Sequence, residues 1–305
     1  MRQAERGFAL VAVMLVLGLL GIIAAEFAYS MRLEAEAMRA WRDHMRAAHL
    51  AEAGVGQALR ELAGDFQLAS LPFDGVLTFY KPGPPLVIVP RMARTKVRLG
   101  AGEFSYLITD EQARLNVNNM LNAPTRLDKL LQCLGVEKID RDVIVDSILD
   151  WIDTNDDHRI NGAESDDYYL KLPVPYRARN GQMESINELL QIKGVTPALF
   201  EGVDGRPGLR DVLTTRGGLP NINTAGPVVF CAMDVQAAQI SQFTQTRLEA
   251  PYPTPPSTVQ GFGVGTDTFR IEAEGLIDGR PRASVTAIVQ KRNKVPVILE
   301  WSGVR

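Results

Sequence analysis

The chain has 305 residues, 46% of them apolar and 23% charged, with a formal net charge of −3. That is enough for one or two domains of ordinary globular make-up, and it lacks the bulk positive charge of a nucleic-acid binder. Two cysteines, Cys133 and Cys231, cannot build a zinc cluster by themselves and neither sits in a CxxC. No G-x-S-x-G, P-loop or H-E-x-x-H occurs.

A charged leader, residues 1–7, ends in Gly7, and Phe8 opens an apolar run to Ala25. Those 18 uncharged residues are at the lower end of a bilayer-spanning helix. A secretory signal peptide is cut after its apolar stretch. Here the processing site, Gly7–Phe8, precedes it, so cleavage would leave the apolar helix on the mature protein. An uncleaved signal anchor is the other arrangement with an apolar run in this place. From Glu26 to Leu62 there is no proline, and Ala, Glu, Arg, Met and Leu dominate. Met38, Trp41, Met45, Ala48, Val55, Leu59 and Leu62 predict one apolar seam, with Glu52 breaking it. Residues 8–62 therefore read as one helix of roughly 80 Å, transmembrane over 8–25 and amphipathic over 26–62.

Short strands follow over residues 63–109: Gly75–Tyr80, Leu86–Val89, Lys96–Leu99 and the alternating Glu103–Ile108. Residues 110–250 read as helices and polar loops. The prolines at 251, 253, 255 and 256, with Gly261, Gly263 and Gly265, mark a boundary. In residues 251–305, Phe269–Glu274 and Ala283–Gln290 alternate about an Asp278-Gly279 turn, and Val295–Trp301 closes the chain as a last strand. The fold class is α+β: a long N-terminal helix on an antiparallel sheet, with a large helical domain inserted into the sheet region. Neither strand group alone suffices for a sheet with a core.

Within the helical block, Leu115–Asn118 and Pro220–Ala225 each precede a helical stretch, with Asn as the N-cap residue type. Ser185–Val195 has the cadence of a helix-hairpin-helix. With Lys193 as its one nearby base and no basic stripe, it reads as a packing unit and not as a nucleic-acid site. Cys133 and Cys231 lie in apolar runs, either as buried thiols or, in an oxidising compartment, as a disulfide.

The leader, cut before an apolar helix, resembles those of type IV prepilins and type II secretion pseudopilins. Asp110-Glu111-Gln112-Ala113-Arg114-Leu115-Asn116-Val117-Asn118 is similar to a signature of the type II secretion minor pseudopilin K family. Asp150–Asp153, Gly162–Glu164 with Tyr168-Tyr169, Pro175–Asn180, Glu188-Leu189 and Asn221–Ala225 continue the series in order. The resemblance covers nearly the whole chain. Counted from Phe8, the fifth residue is Ala12, where most pilins carry a glutamate that meets a neighbour's N-terminal ammonium. The K family is known for lacking it.

The resemblance implies a structural, non-enzymatic protein that caps the pseudopilus tip and helps initiate assembly for export of folded proteins from the periplasm. It implies a single-pass inner-membrane protein with a periplasmic body and an N-methylated Phe8. Its partners would be other minor pseudopilins, the major pseudopilin, the inner-membrane secretion platform and prepilin peptidase. The competing reading is a membrane-anchored periplasmic hydrolase using carboxylates between Asp140 and Asp167. His44, His49 and His158 are the only histidines, and two lie on the amphipathic helix.

The stretch 153–164 matches a calcium loop by alternate spacing. Asp153, Asn155 and Asp157 take its first, third and fifth positions, the Arg159 carbonyl the seventh, Asn161 the ninth and Glu164 the twelfth. His158 replaces the glycine of the sharp turn, which weakens Asn161 as a ligand. Asp166 and Asp167 are candidates for further ligands. The resemblance also implies calcium in this block.

Overall fold

The computed structural model describes residues 2–81 and 83–303, with side chains from residue 10 onward. The expected Gly7–Phe8 junction therefore has no described side chains. Helix α1 spans Arg2–Leu62, about 90 Å at 1.5 Å per residue. Its apolar stretch is long enough to cross a membrane and is not covered by the rest of the chain.

Strands β1 (Leu68–Ser70), β2 (Thr78–Lys81) and β3 (Val87–Ile88) pair among themselves in that order and do not extend the larger sheet. Phe79 of β2 stacks on Phe66, and both rings meet Phe269 edge-on. That aromatic triad fastens the small sheet over the end of α1. Strands β4 (Val97–Leu99) and β5 (Gly102–Asp110) open the main sheet.

The chain then leaves the main sheet for a block of helices and returns to it at β8 (Thr268–Ile277). Strands β9 (Arg280–Arg292) and β10 (Val295–Gly303) complete an antiparallel order β10-β9-β8-β5-β4. β5 and β8 pair from Glu103↔Leu276 to Asp110↔Phe269. Period-two alternation sends Phe104, Tyr106, Ile108, Phe269, Ile271, Ala273, Val285, Ala287 and Val289 to one face, where they form a core with α1.

The buried stripe of α1 is Ala47, Leu50, Ala51, Gly54, Ala58 and Leu62, with Ala48 and Val55 beside it, so Ala48, Val55 and Leu62 of the expected seam are buried. It differs from the expected seam, because Met38 and Trp41 are each 62% exposed. The sheet meets the helix only from about His44, and at Ala47 it does so backbone to backbone, which requires small residues. A Cβ on Gly275 of β8 would lie 1.8 Å from the Ala47 carbonyl oxygen. Glycine there is what lets the helix seat.

The helix–sheet contacts also orient the molecule. Gly102, at the start of β5, abuts Leu50, whereas Tyr106, further along, donates to Glu61. β5 therefore runs parallel to α1, away from the membrane-crossing end. Asp110 lies at the membrane-distal end of the sheet, and the helical block is attached there.

The block contains β6 (Leu115–Asn116), α2 (Pro124–Cys133), α3 (Lys138–Ile152), α4 (Pro197–Glu201) and α5 (Leu209–Val212). After these come β7 (Leu213–Thr214), α6 (Pro227–Ala232) and α7 (Ala237–Glu249), with several 3-10 turns between them. Its core is separate from that of the sheet and centres on Leu127, Leu130, Ile148, Trp151, Tyr169, Leu189 and Phe230. β6 and β7 pair in parallel. Cys133 of α2 and Cys231 of α6 form a disulfide with their Cα atoms 6.2 Å apart.

The motif 110–118 is the junction between the two cores. Asp110 is buried and accepts from the Gln112 amide (2.8 Å), Asn221 Nδ2 (2.9 Å), Thr224 Oγ1 (2.6 Å) and Thr266 Oγ1 (2.5 Å). Glu111, also buried, accepts from Arg114 (3.1 Å), Arg270 of β8 (2.6 Å) and Thr214 of β7 (2.5 Å). Asn116 caps the 3-10 turn Val117–Asn122, as the sequence suggests. Asn221 and Asn223 do not cap α6, whose N-cap is Gly226. Asn221 instead reaches Asp110, and Asn223 exchanges hydrogen bonds with the Tyr252 backbone.

Replacing Gly275 with Val should destabilise the full chain in detergent by at least about 3 kcal/mol, because backbone has to move to admit the side chain. Gly56 on α1 has open space around its Cβ position. Its change to Ala should be neutral or stabilising by up to about 1 kcal/mol. Thermal melts of both variants check the pair.

Candidate functional site

Helix α3 carries Asp146, Asp150 and Asp153 at spacings of four and three, which places their carboxylates on one helix face. Asp153 is the C-cap of α3, and from it the acidic loop folds back over that face. Asp150 is fully buried. It accepts from the backbone amides of Arg159 (3.1 Å) and Ala163 (2.9 Å). A Cβ on Gly162 would fall 1.9 Å from an Asp150 oxygen, so the loop closes over this carboxylate only because residue 162 has no side chain.

Arg159 enters the same centre. Its Nη1 lies 2.5 Å from Asp150 Oδ1 and 2.6 Å from Asp153 Oδ2. Glu164 is 2% exposed, and neither of its carboxylate oxygens has a hydrogen-bond partner. Burial, then the charges of Asp150 and Asp153, push its carboxyl from an ordinary 4.5 up to about 7. The Ser165 amide opposes that shift without making a hydrogen bond to either oxygen. Three carboxylates, Asp150, Asp153 and Glu164, thus share a centre with one guanidinium, an excess of two negative charges when all are ionised. An orphaned buried carboxylate is what a missing cation leaves behind.

The expected ligands are only partly gathered. Asp153 and Glu164 face this centre. The Asn155 side chain accepts from the Asp157 amide (2.9 Å), winding an exposed turn, and Asp157 itself is exposed. The Arg159 carbonyl accepts from the Gly162 amide (3.0 Å). The Asn161 side chain is drawn to Asp146 (3.1 Å). Asp166 is exposed, and Asp167 accepts from the Glu164 amide (2.8 Å), with His158 4.0 Å away. His158 is not among the residues with positive φ, so the sharp glycine turn of the calcium-loop pattern is not made. Among the described residues no three His, Cys, Asp or Glu side chains form a ready-made metal cage, and the Arg159 guanidinium bridges Asp150 and Asp153.

Sequence spacing along the loop missed Asp150 because it precedes the loop, on the helix. The signal that finds it is the carboxylate repeat 146, 150, 153 at the largely apolar C-terminal end of the helix. Lys193 donates to the carbonyls of Asn161 (3.1 Å) and Gly162 (2.9 Å) and sits 5.2 Å from the centre of the Tyr168 ring. The base of the hairpin-like segment is therefore used to fasten the acidic loop.

A family model described as "Type II secretion system (T2SS), protein K" matches residues 113–204, the part of the block that contains this centre. Type II secretion system protein K of Pectobacterium carotovorum subsp. carotovorum is 28% identical over 82% of this chain and 70% of its own length. Its namesake in Pseudomonas aeruginosa is 23% identical over 99% of this chain and 94% of its own length. In a solved GspK-GspI-GspJ complex from the enterotoxigenic Escherichia coli type 2 secretion system, one chain shares the fold. Its TM-score is 0.59 at 16% identity, over 90% of this chain and 99% of that one. With the long apolar helix, the sheet it packs on and the helical block, these likenesses agree: the chain is similar over most of its length to type II secretion system protein K.

Proposed function

We propose that this chain is the tip subunit of the pseudopilus, anchored in the inner membrane with its body in the periplasm, and that it helps initiate filament assembly. One observation carries the reading: the block between β5 and β8 is attached at the membrane-distal end of the helix–sheet unit. In a filament built outward from the membrane, a further subunit would need that space. Ala12 supports the same place, because a subunit without the glutamate offers no buried partner to the ammonium of one above it. The solved GspK-GspI-GspJ complex supports sister minor pseudopilins as neighbours. The uncovered Met38 and Trp41, above the membrane span, are apolar surface for such helix packing.

The major pseudopilin, the inner-membrane secretion platform and prepilin peptidase follow as further partners, with cleavage after Gly7 and methylation of Phe8. A hydrolase reading has less support, since Asp146, Asp150 and Asp153 are engaged with the chain's own amides and arginine.

A calcium ion fits the centre on α3. Hard oxygen ligands suit it, Asp150, Asp153 and Glu164 would hold it, and it would neutralise the excess charge around the orphaned Glu164. Its role is structural, stabilising the folded block by mass action.

Three outcomes test these readings. Gly7→Val should leave the precursor uncut, seen by mass spectrometry of the membrane-fraction N-terminus; normal processing and secretion count against the leader. Immunogold labelling should find this chain at filament ends, and label along the shaft contradicts the tip reading. The third outcome concerns Glu164. With its carboxyl raised above the ordinary range, the folded state holds that proton more tightly than the unfolded chain. The stability this adds is fully present below 4.5 and lost as pH rises through about 7. Without metal, Glu164→Gln should therefore melt above wild type at about pH 8 and match it below about pH 4.5. With calcium at the higher pH the order should reverse. Melts that show no pH-dependent difference contradict the centre as described.

A further inference from the structure

We propose that Arg159 is a built-in counter-cation: its guanidinium occupies the cation position of the acidic centre, holds the loop folded without metal, and must swing out for calcium to enter. The inference rests on the calcium reading above and concerns a residue whose side chain that reading does not use.

The guanidinium bridges Asp150 Oδ1 and Asp153 Oδ2, two carboxylates that would otherwise repel each other at the end of α3. It reaches them from the loop side, and a third of the Arg159 side chain remains exposed. A route to solvent is therefore open without unfolding. The Arg159 amide is bonded independently to Asp150. Departure of the side chain would leave the backbone seated and Asp150 still held by the Ala163 amide. Lys193 and Asn180 hold the loop from outside, through the carbonyls of Asn161, Gly162 and Asn155.

One positive charge cannot satisfy three carboxylates. Arg159 serves two, and Glu164 is left with no partner on either oxygen. A divalent ion supplies the second charge, and to bridge Asp150 and Asp153 it needs the position between Asp150 Oδ1 and Asp153 Oδ2 that Arg159 now fills. Occupation by the two cations is mutually exclusive. Apparent calcium affinity is then the intrinsic affinity reduced by the fraction of molecules in which Arg159 has vacated the centre. The device makes the metal-free block more stable at the expense of calcium affinity, so the ion is taken up only where calcium is plentiful.

The test is calorimetric titration of the chelator-stripped full chain in detergent with calcium, for wild type, Arg159→Gln and Arg159→Lys. Arg159→Gln, which cannot supply the charge, should bind calcium at least about tenfold tighter than wild type, a gain of about 1.4 kcal/mol. Its melting temperature should fall without metal and recover when calcium is added. Arg159→Lys keeps the charge on a single ammonium that cannot bridge two carboxylates in the same way, and should bind with intermediate affinity. It keeps the question open to test even if the metal-free Gln variant does not fold. Calcium binding to Arg159→Gln but not to wild type is the strongest form of the expected result. Calcium affinity unchanged or weakened in both variants, with wild type still binding, overturns the Arg159 role while the calcium site stands. Failure of all three proteins to bind calcium removes the site itself, and the role of Arg159 with it.

Discussion

The pairing of β5 with β8 is the constraint on which the molecule depends. Two neighbouring antiparallel strands are separated in sequence by the whole helical block, residues 111–267. The ends of that block must therefore lie side by side at one point of the sheet. Loop-closure entropy opposes such an arrangement, and the buried contacts of the junction offset it. Asp110 draws together the block's entrance, its exit at Thr266 and its Asn221–Thr224 segment. Glu111 links β7 in the block to Arg270 in the sheet. These are charge-assisted hydrogen bonds in a dry environment, where losing one partner is expensive. The consecutive acids that open the motif at Asp110 therefore position the block.

The second requirement is that the membrane helix and the sheet form one unit. A helix can be apolar all round where lipid surrounds it, and it needs a narrow face where it meets protein. α1 changes from one to the other along its length. Large apolar residues cover Leu10–Leu33, and then Ala47, Ala51, Gly54 and Ala58 let its backbone approach β8. Position in the membrane is in this way transmitted rigidly to the sheet, and through the junction to the helical block with its acidic centre.

Much of this was legible in the sequence. Strands β5, β8 and β9 alternate because one face is buried under α1, and Asp278-Gly279 marks the hairpin between β8 and β9. The continuous helix follows from the absence of proline through residue 62. What was not legible depended on distance in three dimensions. Met38 and Trp41 fit a helical seam by spacing but lie beyond the reach of the sheet. β2 and β3 look like strands of the main sheet, yet with β1, which the sequence did not mark, they form a sheet of their own beside the Phe66–Phe79–Phe269 cluster. The acidic centre was half legible. Loop spacing identifies Asp153 and Glu164, whereas Asp150 is contributed by the preceding helix and Asn161 is captured by Asp146. The intrusion of Arg159 has no linear signature, since a guanidinium seven residues into an acidic loop reads there only as a backbone carbonyl.

The proposed tip position rests on a junction that projects a bulky block from the membrane-distal end of the helix–sheet unit. The most direct test is the molar ratio of this chain to the major pseudopilin in purified pseudopili sorted by length. A tip subunit is present in fixed number per filament, so its ratio should fall in inverse proportion to length. A ratio that stays constant as filaments lengthen would place the chain along the shaft and contradict the account.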